Sequence, residues 1–267
     1  RHDARGNVIE TAWFDPQGEP IFLKNYRYVR STNAYDTFGN RIETRMFGKN
    51  GEPVLCVDHY ATIRWKYDDR GQMIDMAAFG LDDEPVVHRI GTARIAVQYD
   101  NRGNTIEEAC FGVDGNPGLC NDHFSIRRAR YDQTDHEVEE SVYGIDGKPC
   151  LHRRGFASVR KSYDDRGNVI EQCYFGLANE PVDTIEGYAA FAAEYDERGN
   201  CIAKRYRGAD GKPALRTNSS CEDEEDLKGI FGIWRALMLG ALYSPEDMER
   251  IARGGFAAFE QRFDPRG

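Results

Sequence analysis

The pair Tyr-Asp recurs at 35–36, 67–68, 99–100, 131–132, 163–164 and 195–196, and every step is 32 residues. A chain with a fixed period of this length folds as an array of like units, each packed on its neighbours. His2-Asp3 is an earlier copy, and Phe263-Asp264 opens a later one in "FDPRG". The sequence thus reads as a piece of a longer array.

Other positions hold the same register. Seven residues after the Tyr stands an aliphatic residue: Ile42, Ile74, Ile106, Val138, Ile170 and Ile202. An acid follows it at Glu43, Asp75, Glu107, Glu139 and Glu171, then an aromatic-Gly pair such as Phe47-Gly48 or Phe175-Gly176. A proline closes each block, at Pro20, Pro53, Pro85, Pro117, Pro149, Pro181 and Pro213.

Each unit predicts strands. In "YATIRWKY" (60–67), Ala61, Ile63, Trp65 and Tyr67 alternate with Thr62, Arg64 and Lys66. The runs 92–99 and 188–195 alternate likewise, which is the period of a half-buried strand. The D-x-R-G-N segment then makes a tight turn, because Asp bonds the backbone ahead of it and Gly takes a positive φ. A second strand follows, and x-D-G-x-P turns the chain again. The expected fold is all-β: an elongated, solenoid-like antiparallel β-hairpin array over 1–220, with the repeated Tyr, Ile and Phe as inward stripes. A closed barrel is the alternative.

"YDDRGNVIE", "YDERGNCIA" and "YDNRGNTIE" resemble the YD (RHS-type) repeats of bacterial surface and toxin-related proteins. The resemblance covers about residues 1–212 plus the terminal "FDPRG". It implies a bacterial origin and a β-hairpin array used as shell, stalk or binding surface, with no catalytic residues to carry over. The unit of 32 residues is longer than the usual YD repeat, through its added F-G-x-D-G-x-P block. The chain carries no autoproteolytic core signature.

The pattern breaks after Pro213. Acids from Glu222 to Asp226 precede an apolar run containing Phe231, Trp234 and Met238; Ser244-Pro245 then opens a second helical segment. The expectation is a helical hairpin over 221–262, inserted or capping, with 263–267 starting a further repeat. The run of about 14–16 apolar residues is too short to cross a bilayer. Docking on the array, a partner or homodimer interface, and a membrane surface remain open for it, the last being least favoured.

Chemistry is sparse. No G-x-S-x-G, H-E-x-x-H, P-loop or strand-borne G-x-G-x-x-G occurs, so no catalytic, cofactor or metal residue is assigned and no enzyme activity is expected. A net charge of −10 argues against nucleic acid as partner. The acid row is expected to face an arginine row at Arg70, Arg102, Arg166 and Arg198. The Asp-Gly turns raise calcium, which needs several oxygens together, yet Asn50, Asp82 and Ala178 stand at that position in other units. "YDQTDH" (131–136) is a degenerate turn, or a ligand site at His136. His59 and His123 share a repeat position two units apart, too distant to hold one zinc. The seven cysteines form no C-x-x-C pair, which mildly favours a reducing compartment and leaves the localisation open.

Two functions follow as expectations. The first is a non-catalytic β-repeat scaffold of a larger bacterial protein, binding a protein or surface. The second is a carbohydrate-binding, possibly hydrolase-associated module. There, Tyr60, Phe124, Phe156 and Tyr188, one per repeat, either form an exposed stacking ladder or cover a second core. Phe231, Trp234 and Met238 complete the candidate partner-binding residues.

Overall fold

A computed structural model describes residues 1–22 and 26–215. It contains thirteen strands: β1 (Glu10–Ala12), β2 (Arg30–Tyr35), β3 (Arg41–Phe47), β4 (Thr62–Tyr67), β5 (Met73–Phe79), β6 (Arg94–Tyr99), β7 (Thr105–Phe111), β8 (Ile126–Tyr131), β9 (Glu137–Tyr143), β10 (Ser158–Tyr163), β11 (Val169–Phe175), β12 (Ala190–Tyr195) and β13 (Cys201–Arg207). They form one antiparallel sheet in strict sequence order. The all-β hairpin array is therefore the fold, open rather than closed, since β1 and β13 are not neighbours. The proposed helical hairpin at 221–262 lies outside the described residues.

Three turns build each unit. At the first, Asp36 Oδ1 accepts the N–H groups of Phe38 (2.9 Å) and Asn40 (2.8 Å), while Oδ2 accepts the Asn40 amide (2.9 Å). The same carboxylate cradle recurs at Asp3, Asp100, Asp164 and Asp196. A left-handed residue closes it, Gly39 at φ 93, as in a hairpin whose type I turn ends in a glycine bulge.

The Tyr ties one hairpin to the one before. The hydroxyls of Tyr67, Tyr99 and Tyr163 donate to the carbonyls of Arg41, Met73 and Glu137 at 2.8–2.9 Å. Those carbonyls belong to the first residues of β3, β5 and β9. Burial pushes the Tyr67 and Tyr99 phenols up to about 12.

The aliphatic position departs from expectation. In every long hairpin the register slips by one residue beside the Tyr: Lys66 pairs with Asp75 but Tyr67 pairs with Met73, leaving Ile74 as a β-bulge. Ile42, Ile106, Val138, Ile170 and Ile202 occupy the same bulge. An extra residue breaks the period-2 alternation, so this row is not an inward stripe. Ile74, Ile170 and Ile202 are exposed.

The second turn is closed by one acid, drawn from either of two positions. Asp114, Asp146 and Asp210 accept the N–H two residues ahead (Asn116, Lys148, Lys212). Where that Asp is missing or unused, Glu52, Glu84 and Glu180 reach back to the N–H groups of Asn50, Asp82 and Ala178 at 2.8–2.9 Å. A Cβ on Gly80 would fall 1.9 Å from the Glu84 carboxylate. The Glu carboxylate thus occupies the space beside the Gly in these units; beside Gly112 and Gly144 the nearest atom to such a Cβ is an Asp carboxylate oxygen, at 3.1 and 3.3 Å.

The third turn had no clear sequence signal. It starts at Cys56, His88, Cys120, His152 and Thr184, where each N–H bonds the carbonyl four residues on. These turns stack: Arg89 N–H donates to the Asp58 carbonyl (3.1 Å), Asn121 to Ile90 (3.0 Å), Arg153 to Asp122 (2.8 Å) and Ile185 to Arg154 (3.0 Å). They cover the inner face of the sheet, where Ile63, Met76, Ala78, Ile95, Val142 and Tyr174 are buried. The core therefore lies between a sheet and a layer of its own turns. That arrangement answers how single hairpins hide an apolar face.

Candidate interaction surface

The outer face of the sheet carries a repeated three-part ladder. Arg30, Arg64, Arg94, Arg128 and Arg160 lie over the rings of Phe47, Phe79, Phe111, Tyr143 and Phe175 at 4.1–4.7 Å. Each guanidinium also pairs with the acid of the preceding hairpin: Arg64 with Glu43 (2.8 Å), Arg94 with Asp75 (2.6 Å), Arg128 with Glu107 (2.8 Å), Arg160 with Glu139 (3.8 Å). The acid row thus meets strand arginines. The expected partners in the first turns point elsewhere: Arg70 and Arg166 donate to the Asn101 and Glu197 carbonyls of the next turn, and Arg102 pairs with Asp135 at 2.9 Å. Exposed ion pairs of this kind contribute about 0–1 kcal/mol each to stability.

Two apolar rows run along the array beside it. After four of the aromatic-Gly pairs stand Leu81, Val113, Ile145 and Leu177, exposed by 48%, 51%, 60% and 56%; Lys49 follows Phe47-Gly48. Two residues after the proline come Leu55, Val87, Leu119, Leu151 and Leu215, all exposed, with Asp183 in the unit between the last two. Apart from Lys49 and Asp183, both rows follow the period of 32. Single exposed aliphatics need no explanation; here they recur at fixed positions of the unit.

Buried charge is concentrated in one place. Arg127 bonds Glu108 (3.2 Å), Glu140 (2.9 Å) and Glu137, and Lys161 bonds Glu137 (2.9 Å). Three carboxylates share two cations, and Glu108 is the most buried of them. Burial, only partly offset by Arg127, pushes its carboxyl up to about 7. Farther along, His88 is fully buried and stacked on Tyr60 (5.3 Å); its Nδ1 accepts the Ile90 N–H (3.2 Å). Burial pulls this imidazole down to about 4. Among the described residues no group of three or more His, Cys, Asp or Glu is placed to hold a metal ion.

Of the two readings of the once-per-repeat aromatics, exposed ladder or cover over a core, the structure shows the second. Tyr60, Phe124, Phe156 and Tyr188 retain 6%, 3%, 3% and 5% of their surface. Each ends a third turn that folds over the inner face, so the rings roof the core. Their stacking is internal: Phe156 meets Tyr174 at 5.1 Å, and Tyr188 meets Tyr206 at 4.7 Å. Phe231, Trp234 and Met238 lie outside the described residues. His136 takes the place of the turn Asn, lies against Gly167 of the next turn and stacks on Tyr163 at 4.6 Å. Asp135 closes that turn at φ 66.

Sequence reading missed the strand arginines because they alternate between two same-face positions: Arg30 and Arg94 stand two residues earlier in the unit than Arg64, Arg128 and Arg160. The exposed rows were visible as aliphatics at fixed spacing.

No family model and no curated protein matches the chain. Among solved structures it is similar to a chain of the Photorhabdus luminescens Tc holotoxin pore, with 17% identity and a TM-score of 0.44 over 67% of this chain. It is also similar to the TcdB2–TccC3 crystal structure, with 16% identity and a TM-score of 0.25 over 74%. The chain spans 7% and 11% of those two chains. At these scores neither likeness bears on function.

Proposed function

We propose that this chain is a non-catalytic β-repeat scaffold, part of a larger bacterial protein of the YD-repeat kind, that binds another protein along its exposed aliphatic rows. The observation that carries this reading is the division of labour within the unit. The repeated Tyr, Asp, Gly and turn acids are spent on hydrogen bonds within the array. What each unit leaves over for the outside is Leu81, Val113, Ile145 or Leu177 beside an arginine–aromatic pair. A repeated apolar row with a polar border is the composition of a protein-binding patch. The burial of Tyr60, Phe124, Phe156 and Tyr188 withdraws the support for sugar stacking.

The test replaces Leu81, Val113, Ile145 and Leu177 together by Ser and compares capture of proteins from a bacterial lysate with the unaltered chain. The expected result is one or more proteins retained by the unaltered chain and lost by the variant, with both equally folded by circular dichroism. Equal capture by both would sink this reading.

A further inference from the structure

The junctions between hairpins are nearly alike from outside. β3–β4, β5–β6, β7–β8, β9–β10 and β11–β12 each pair three residues. At four of them a strand Arg meets the acid of the earlier hairpin. At Tyr67, Tyr99, Tyr163 and Tyr195 the hydroxyl bonds an earlier carbonyl. None of these contacts tells one hairpin from another. Set on β5 in place of β7, hairpin β8–β9 would bring Arg128 to Asp75 and the Tyr131 hydroxyl to the Met73 carbonyl, where Arg94 and Tyr99 stand now.

The inner face does tell them apart. The residues opposite each other at the centre of each junction are Thr44 and Ile63, Met76 and Ile95, Glu108 and Arg127, Glu140 and Val159, and Gln172 and Phe191. Among the described residues only β7–β8 sets charge on charge here, at 3.2 Å. Arg127 also holds Glu140 (2.9 Å) and Glu137 of its own hairpin. Lys161 of β10 holds Glu137 (2.9 Å) across the next junction. The cluster thus links three successive hairpins, and its side chains keep only 3–17% of their surface. With β8 on β5, Arg127 would face Met76, and Glu108 would be buried without its cation. With β10 on β7, Lys161 would meet Thr105 where Glu137 stands now. A buried charge parted from its partner is strongly destabilising, whereas a whole buried ion pair exchanged for apolar groups is often neutral or better. Such a cluster separates right order from wrong more than it stabilises the right one.

We propose that Glu108, Arg127, Glu137, Glu140 and Lys161 fix the order in which the hairpins dock, keeping β8 on β7 and β10 on β9 in an array whose other junction contacts are interchangeable. Repeat arrays can begin folding anywhere, and they fail by joining wrong neighbours, within a chain or between chains.

The test replaces the cluster with residues that other units carry at the same positions: Glu108→Met and Glu140→Met (as Met76), Arg127→Ile (as Ile95), Glu137→Val (as Val169) and Lys161→Val (as Val97). A second variant, Glu137→Val with Lys161→Val, removes only the pair across β9–β10. Each whole chain is refolded from urea by dilution under reductant at several protein concentrations. Size exclusion with light scattering counts monomers and swapped dimers. Hydrogen exchange read by mass spectrometry detects a hairpin left out of the sheet, as a second, unprotected population of its peptides. For the full replacement we expect a urea midpoint equal to or above that of the unaltered chain, with several-fold more dimer or left-out hairpin. The pair replacement should show a smaller excess of the same species. The proposal is overturned if the variants that fold give one monomeric, uniformly protected species as completely as the unaltered chain does. It is equally overturned if the pair replacement fails to fold at all, since the cluster would then hold the array up rather than order it.

Discussion

The repeated Tyr acts through its hydroxyl, which bonds a carbonyl of the preceding hairpin at Tyr35, Tyr67, Tyr99, Tyr163 and Tyr195. Tyr67→Phe keeps the ring and deletes the bond to the Arg41 carbonyl. We expect a loss of about 1 kcal/mol, the usual net value of such a bond, seen as a lower urea midpoint with unchanged slope. Two buried titratable groups set opposite pH dependences. His88, pulled down to about 4, is neutral in the fold, so its stabilisation is full above the unfolded pKa of about 6.5 and is lost as pH falls towards 4. Glu108, pushed up to about 7, stays protonated in the fold. Its contribution is full below the unfolded value of about 4.5 and is lost as pH rises through 7. The windows overlap and oppose. Melting temperatures from pH 4 to 7.5 should therefore rise more steeply with pH in Glu108→Gln than in the unaltered chain. They should rise less steeply in His88→Cys, which copies Cys56 and Cys120 of the flanking units. Parallel curves for all three proteins would refute both assignments.

Among the elements, the second turn makes the sharpest demand: one acid, from either of two positions. Unit six has Ala178 where Asp114 stands two units earlier, and Glu180 supplies the carboxylate instead. Glu180→Ala should cost about 1 kcal/mol, and adding Ala178→Asp to that variant should restore most of it. Restoration by Ala178→Asn to the same extent would show that charge is irrelevant there. This exchange of positions also explains what the sequence hid. Strands and the first turn were legible because Asp, Gly and Pro each have a backbone consequence that few residues copy; Asp135, at φ 66, is the one stand-in for the turn Gly among the described first turns. The bulge was not, since Ile74 looks like any strand aliphatic and only the pairing of Tyr67 with Met73 shows the extra residue. The third turn was hidden because burial, not residue type, is what its first position keeps: Cys56, His88, Cys120, His152 and Thr184 share a hydrogen-bond pattern and little chemistry. Tyr60, Phe124, Phe156 and Tyr188 were therefore read with an exposed ladder still open, when the turn folds them inward.

For the array as a whole, stability is a sum of unit terms and interface terms between neighbours, and the interfaces are not all alike. Asp58 pairs with Arg89 (3.4 Å) and, 64 residues on, Asp122 pairs with Arg153 (3.5 Å), while the intervening contact is made by Asn121 on the Arg89 carbonyl. The next contact is an ion pair between other positions, Arg154 with Glu186 (2.7 Å), so the neighbour interfaces are of more than one kind. Deleting residues 68–99 joins Tyr67 to Asp100 and restores the Tyr-Asp step, so the strands should stay in register and the chain should fold with one hairpin fewer. Removal of 68–98 instead leaves one extra residue, Tyr99 after Tyr67, in the junction hairpin; a slip of that strand by one residue turns its inner side chains outward, so this variant should be less stable than the 68–99 deletion. Deleting 68–131 brings Asp58 beside Arg153 and keeps an Asp–Arg pair at the junction, whereas deleting 68–99 sets it beside Asn121 and loses it. Urea unfolding of the two in-register deletions should show the 32-residue loss costing more than half as much stability as the 64-residue loss. A cost of half or less would mean that every neighbour interface is equivalent and that the Asp–Arg pair at the junction has no energetic content.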